Sequence, residues 1–273
     1  MKSAVHSSQT RASDTAAQLL SQLSDALASG NSQALTDYLN VMAKFHRYSY
    51  YNSLLIFAQR PSATHVAGYA RWKQLGRFVK QREKGIVILA PSIASPKIKP
   101  EEEEPTGDRQ VRYFMAVHVW DVSQTDGQEL PAIRPVTGEV GPHLDRLKDL
   151  VREHSIGLAY TADLGGARGL SHGGSITLLS GLSPAEELQT LAHELGHELL
   201  HRGNRRVETT RQIRELEAEA VAYVVTSACG LSNESASWDY IRLYRGDEKL
   251  LAQSLSYIQH VSAEILDYIE VPA

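Results

Sequence analysis

The sequence predicts an α+β protein of two domains. Three observations lead there. Short segments of strand character, Phe78 to Gln81, Ile86 to Leu89 and Val111 to Trp120, punctuate the first half. Helical spacing of apolar residues dominates the second half, most clearly over Glu187 to Leu199. Between them Gln124 to Gly141 is loop-like and serves as a linker, which divides the chain at 1–130 and 131–273.

The composition sets bounds. With 273 residues, 42% apolar and 22% charged, the chain is long enough for one large domain or two modest ones. Its net charge of −4 does not by itself suggest a polyanion-binding protein. The single cysteine, Cys229, forms no internal disulfide, which suits a reducing compartment. Met1 to Asp14 is polar, without the apolar core of a signal peptide. No apolar run approaches the roughly 20 residues that span a bilayer. The expectation is a cytoplasmic protein with no membrane partner.

The elements follow in order. Residues 1–13 are polar and expected to fray. Ala16, Leu19, Leu20, Leu23 and Leu27 recur at helical spacing and predict a helix from Thr15 to Leu27. Ala34 to Phe45 and Asn52 to Ala58 predict two more, and His65 to Leu75 a helical turn carrying Trp72. Phe78–Gln81 and Ile86–Leu89 read as two strands joined by the charged turn Arg82 to Gly85. Ser95 to Gly107 is proline-rich and charge-blocked, hence an exposed loop. In the second half, His143–Glu153 is helical and Gly157–Tyr160 and Ser175–Leu179 are strands. Ser183 at the N-cap, Pro184 after it and Glu186 at the third helical position start a helix that should reach His201. Helices at Glu208–Ala228, Ser237–Tyr244 and Glu248–Ile269 complete the chain.

Within that helix, His193-Glu194-Leu195-Gly196-His197 sets two histidines one turn apart on one face, where both can grip the same ion. Glu194 then points at the open coordination position, as a general base must. Leu188, Leu191, Leu195 and Leu199 form the apolar stripe such a helix requires. A catalytic Zn2+ takes three protein ligands and one water, so a third ligand must come from elsewhere. The helix downstream offers Glu215, Glu217 and Glu219. Glu215 and Glu219 share a face, while Glu217 lies about 200° around from Glu215 and reads as a solvated charge. Glu215 is assigned to the metal. Glu219 is assigned to the ring N–H of a ligating histidine. Helical geometry alone also allows the two to be exchanged. His201 reads as a surface histidine outside the site. Tyr223, Tyr240, Arg242 and Tyr244 are candidate oxyanion donors, and the sequence does not choose among them.

The net charge hides an asymmetry. Residues 41–84 carry nine cations against one acid, a local balance of +8. Aromatic residues are interleaved. Cations that neutralise phosphates beside rings that stack on bases are the ingredients of a single-strand binding surface. The candidates are Arg47, Tyr48, Tyr50, Tyr51, Asn52, Arg71, Trp72, Lys73, Arg77, Lys80, Arg82 and Lys84, with Phe45, Phe57 and Phe78 assigned to the core.

Tyr48 to Ile56, Gln59-Arg60-Pro61, Arg71 to Lys80 and Val119 to Thr125 resemble the N-terminal domain of ArdC-type antirestriction proteins. The resemblance covers about residues 13–230. It implies a single-stranded-DNA-binding domain joined to a zincin-like metallopeptidase domain. Trp120 departs from the pattern, which has Phe there. The second half also resembles ImmA/IrrE regulatory peptidases, in which the histidine motif is followed by Glu-x-x-Ala-(polar)-x-x-Ala; Glu215, Ala218, Glu219 and Ala222 match that phase, which supports Glu215 as ligand.

Together these readings describe a gluzincin-like zinc peptidase whose partners are single-stranded DNA and a protein substrate met on DNA, in antirestriction or in digestion of DNA–protein crosslinks. The rivals are a non-proteolytic DNA-binding shield and a regulatory peptidase that cuts one repressor.

Overall fold

The structure, a computed structural model, describes residues 2–29, 33–93, 111–128, 140–231 and 247–270. It forms two compact units, Met1–Leu19 with Leu54–Gln128, and Leu20–Ser53 with Glu129–Ala273. The second unit therefore takes residues 20–53 as well as the expected 131–273. The helix α2 (Gln33–Lys44) explains this: it packs on α8 (Arg211–Ala228) and buries Leu35, Tyr38, Leu39, Val41 and Met42. That apolar face could not be left in water. Two helices cross from one unit to the other: α1 (Lys2–Ala28), which starts well before the expected Thr15, and α3 (Tyr50–Gln59).

The first unit is built on strand β1 (Val66–Ala67), helix α4 (Tyr69–Gln74) and strands β2 (Arg77–Val79), β3 (Ile86–Ile93), β4 (Val111–Asp121) and β5 (Thr125–Gly127). The sheet order is β1-β4-β3, and β2 pairs with β5. The expected β2–β3 hairpin is therefore not formed. β3 instead takes the long partner β4, with Ile86 opposite Val119 and Ile88 opposite Val117. The Arg77 side chain fixes β2 on β5 through Thr125 Oγ1 at 2.8 Å and the Thr125 carbonyl at 2.9 Å.

Polar side chains complete this framework. The Gln59 amide exchanges two hydrogen bonds with the backbone of Val87, at 2.8 and 2.9 Å, as a strand would. Buried Asp121 accepts the N–H groups of Thr64, His65 and Ser123 at 2.7, 3.0 and 3.0 Å. Burial raises its pKa, but these bonds outweigh it and hold the carboxyl below its ordinary value.

The second unit packs α5 (Gly141–Glu153), α6 (Pro184–Leu200), α8 and α9 (Glu248–Glu270) around a small sheet of β6 (Gly157–Thr161), β8 (Ser175–Leu179) and β7 (Gly169–Ser171). β6 and β8 are parallel, and β7 is an antiparallel edge strand that the sequence pattern missed. Its three residues are too short for a periodicity signal. A short helix α7 (Asn204–Glu208) leads into α8, whose N-cap Thr210 accepts the N–H of Ile213. The predicted loop 95–107, most of the linker and the helix at 237–244 lie outside the described residues. Among the described residues no helix is long and apolar enough to cross a membrane.

Candidate metal centre

The start of α6 is built as its sequence implies. Ser183 accepts the N–H of Glu186, whose carboxylate accepts the Ser183 N–H in return. Buried Leu188, Leu191 and Leu195 turn one face to the core. The histidine face is then set against α8. Gly196 makes the approach close: a Cβ there would lie 3.3 Å from the Ala218 Cα and 3.5 Å from its carbonyl oxygen.

At this distance Glu215 reaches both histidines. His193 Nε2 lies 3.1 Å from His197 Nε2, and Glu215 Oε2 lies 3.7 and 3.5 Å from those two nitrogens. Donors held about 2.1 Å from one tetrahedral ion would stand about 3.4 Å apart. The triangle therefore fits a divalent ion. The outer nitrogens are also engaged. His193 Nδ1 faces Glu219 at 3.3 Å, and His197 Nδ1 faces His201 Nδ1 at 3.3 Å.

Two sequence expectations are corrected here. His201 is 2% exposed, not a surface histidine, and Glu217 is fully buried, not a solvated charge. They meet at 3.0 Å, and Glu217 also accepts hydrogen bonds from Arg205 and, at 2.6 Å, from Ser254 of α9. The Arg205 guanidinium lies 3.6 Å from the centre of the Tyr257 ring. Burial raises the Glu217 pKa, but these donors keep it below the ordinary value. Spacing on α8 does place Glu217 away from the metal triad. What the sequence hid was that α9 covers that side.

The site is electrostatically coupled. Burial lowers the His193 pKa, but Glu215 and Glu219 push it up to about 9. Burial and the neighbouring His193 take His197 down to about 4. The His193 hydrogen bond holds Glu215 at about 2. Burial raises Glu194, mainly opposed by His193. A carboxyl raised toward neutrality is suited to accept and return a proton.

Glu194 lies in a cleft of about 430 Å³ with the triad. β7 forms part of its wall, and a Cβ on Gly169 would strike Glu194 Cγ at 2.8 Å. The strand rests directly on the helix beside that carboxyl. Glu198, buried on α6, accepts from Ser171 Oγ, Gly173 N and Gly174 N at 2.7, 2.8 and 2.7 Å, and so holds the β7–β8 turn. Of the candidate oxyanion donors, Tyr223 points away, donating to Asn40 Oδ1 at 3.0 Å, while Tyr240, Arg242 and Tyr244 are outside the described residues.

The candidate DNA contacts fall on both units. Arg47, Tyr48, Tyr50, Tyr51 and Asn52 belong to the second, where Arg47 pairs with Asp267 at 2.8 Å. Arg71, Lys73, Arg77, Lys80, Arg82 and Lys84 belong to the first. Arg77 is occupied by β5, and Lys80 pairs with Asp126 at 3.5 Å; Arg71, Lys73, Arg82 and Lys84 are exposed. Trp72 is a correction: it is 2% exposed and its indole N–H donates to the Trp120 carbonyl at 2.8 Å, so it is core. Phe78 is the reverse, 56% exposed where a core position was expected. The sequence also missed an aromatic face. Phe114, His118 and Trp120 alternate along the outer side of β4, and Tyr69 meets Trp120 edge to face at 6.3 Å.

Residues 13–120 match the family model described as the N-terminal domain of anti-restriction factor ArdC, and residues 145–264 match the IrrE N-terminal-like domain. The chain thus resembles ArdC over its first part and the IrrE N-terminal-like domain over its second. Two crystal structures of the antirestriction ArdC protein from the R388 plasmid share its fold. The metal-free one is 21% identical and the Mn(II)-bound one 19%, each with a TM-score of 0.50 over 81% of this chain and 84% of that one. No curated protein matches it. The residues matching the IrrE-like model include the whole histidine–glutamate cluster.

Proposed function

We propose that the chain is a zinc metallopeptidase that binds single-stranded DNA and hydrolyses peptide bonds of proteins met on that DNA. The observation that carries the reading is the convergence of His193, His197 and Glu215 in one cleft with Glu194. His193 and His197 would offer Nε2 and Glu215 a carboxylate oxygen to the ion, with Glu219 and His201 behind the histidines. A bound Zn2+ supplies Lewis acidity and makes its water acidic near neutral pH. Glu194 accepts the proton of the attacking water at its carboxylate and returns it to the leaving amine. The substrate lies along β7. In the β7–β8 ladder His172 N–H bonds to Ser175 O and Leu179 N–H to Arg168 O, so the backbone groups of Gly169 and Ser171 alternate outward; the Ser171 N–H is taken by the Glu194 carboxylate, and the Gly169 N–H and C=O and the Ser171 C=O are the groups a peptide would pair with.

DNA is bound through stacking on the face formed by Tyr69, Phe114, His118 and Trp120, with exposed cations at Arg71, Lys73, Arg82 and Lys84. The biological role proposed is antirestriction, the role the R388 protein is named for. The match to the IrrE-like model favours one second reading, a regulatory peptidase that cuts a specific repressor. Anisotropy titrations with single-stranded and duplex oligonucleotides at two salt concentrations separate them. The DNA reading expects salt-sensitive binding that prefers single strands and is weakened by Phe114→Ala. Binding that is absent or insensitive to salt removes DNA from the account.

A further inference from the structure

The lining of the metal cleft is uneven in charge. Four residues come from β7 and the turn before it: Ala167, Gly169, Leu170 and Ser171. Four are the triad and Glu194. All that remains is Arg206, Arg211 and Arg214. Arg214 is held inside the protein fold, donating to the carbonyl oxygens of Arg206, at 2.9 Å, and of Thr209. Arg206 and Arg211 are exposed, and neither forms an ion pair among the described residues. Arg211 does feel the charge of Glu215 one turn along α8, but a bound cation would take that charge. Two guanidinium groups thus open into a cleft whose own carboxylates serve the metal and the proton.

We infer that the cleft selects peptides with an acidic side chain next to the scissile bond, held by Arg206 and Arg211. The inference rests on the peptidase reading and names its substrate class. A planar guanidinium matches a carboxylate through two parallel hydrogen bonds, and partial enclosure strengthens the pair. A nucleic-acid phosphate could meet the same charges. It would leave the outward N–H and C=O of Gly169 and the C=O of Ser171 without an alternating partner, whereas a peptide supplies one.

The test uses the Glu194→Gln protein loaded with Zn2+ and paired fluorescent peptides, identical except for Glu or Gln on both sides of the central residue. Anisotropy is expected to show the acidic peptide binding about tenfold tighter, the scale of two partly exposed ion pairs. Arg206→Gln with Arg211→Gln should remove that difference at unchanged thermal stability, and Arg206→Glu with Arg211→Glu should shift the preference to a Lys peptide. Equal binding of Glu and Gln peptides by the parent overturns the inference. So does an equal loss for both peptides in the arginine variants, which would assign these side chains a general role. Loss of oligonucleotide binding with the peptide preference intact would assign them to DNA. Cleavage of a mixed peptide library by the zinc-loaded wild type separates the two levels. Cleavage without acidic preference keeps the peptidase and removes the selectivity; acidic-selective binding with no cleavage of any peptide does the reverse.

Discussion

His201 Nε2 stands 3.0 Å from the carboxylate of Glu217, and both side chains are sealed from water. Were His197 Nε2 to hold an ion, its Nδ1–H would donate to His201 Nδ1, and His201 Nε2–H to Glu217. The chain of hydrogen bonds thus fixes the tautomer and ring angle of a proposed metal ligand, His197, through His201, which Glu217 holds from 16 residues away in sequence. His201→Leu is expected to weaken zinc binding about 10- to 100-fold while leaving the fold in place. Competitive zinc titration against a chromogenic chelator measures it; an unchanged affinity would show that His201 only fills space.

Removing Glu217 should do more. Glu217→Leu leaves the Arg205 guanidinium without its anion and is expected to destabilise the second unit by about 3–5 kcal/mol. Thermal unfolding of the metal-free protein reads this directly. A loss below about 1 kcal/mol, the scale of a surface pair, would contradict the burial of the network.

The contact of Gly196 with Ala218 gives a separate handle on the site. Gly196→Val must push α6 from α8, since even a Cβ would sit 3.3 Å from the Ala218 Cα. Overpacking of this kind costs about 1–3 kcal/mol and moves Glu215 away from the histidines. Zinc affinity should therefore fall along with stability. A variant that is destabilised yet binds zinc as the parent does would separate helix spacing from the site.

The metal-free protein should show a pH signature. His193 holds its proton to about 9 through Glu215 and Glu219. A folded-state pKa raised above the unfolded value near 6.5 gives stability that is complete below 6.5 and lost as pH rises through about 9. Melting temperatures in chelator are expected to fall across that window by several degrees. With Zn2+ bound in place of the proton the fall should disappear. A flat profile without metal would mean the triad does not share a proton.

Much of the candidate metal site was legible because its information is local. A His-x-x-x-His spacing, an N-cap and an apolar stripe all sit on one helix, and the phase of Glu215 against Glu219 follows from 3.6 residues per turn. What stayed hidden depends on partners distant in sequence. Glu217 and His201 look solvated until α9 covers them with Ser254 and Tyr257. The first unit shows the same limit in another form. Gln59, Trp72, Asp121 and Gln124 lie in the segments that carry the ArdC resemblance, yet each is spent on holding strands and turns. The motif there records the framework. The exposed ring of Phe114 lies outside it and emerges only when β4 pairs with β3.

The most direct measurement incubates the zinc-loaded protein with a protein bound or crosslinked to single-stranded DNA, and follows cleavage by mass spectrometry, with chelator and Glu194→Gln as controls. The expected result is cleavage that requires the metal and the Glu194 carboxylate and is faster with single-stranded DNA than without it. Glu194→Gln protein that retains zinc and cleaves at the wild-type rate would contradict the assignment of this cleft as a peptidase centre.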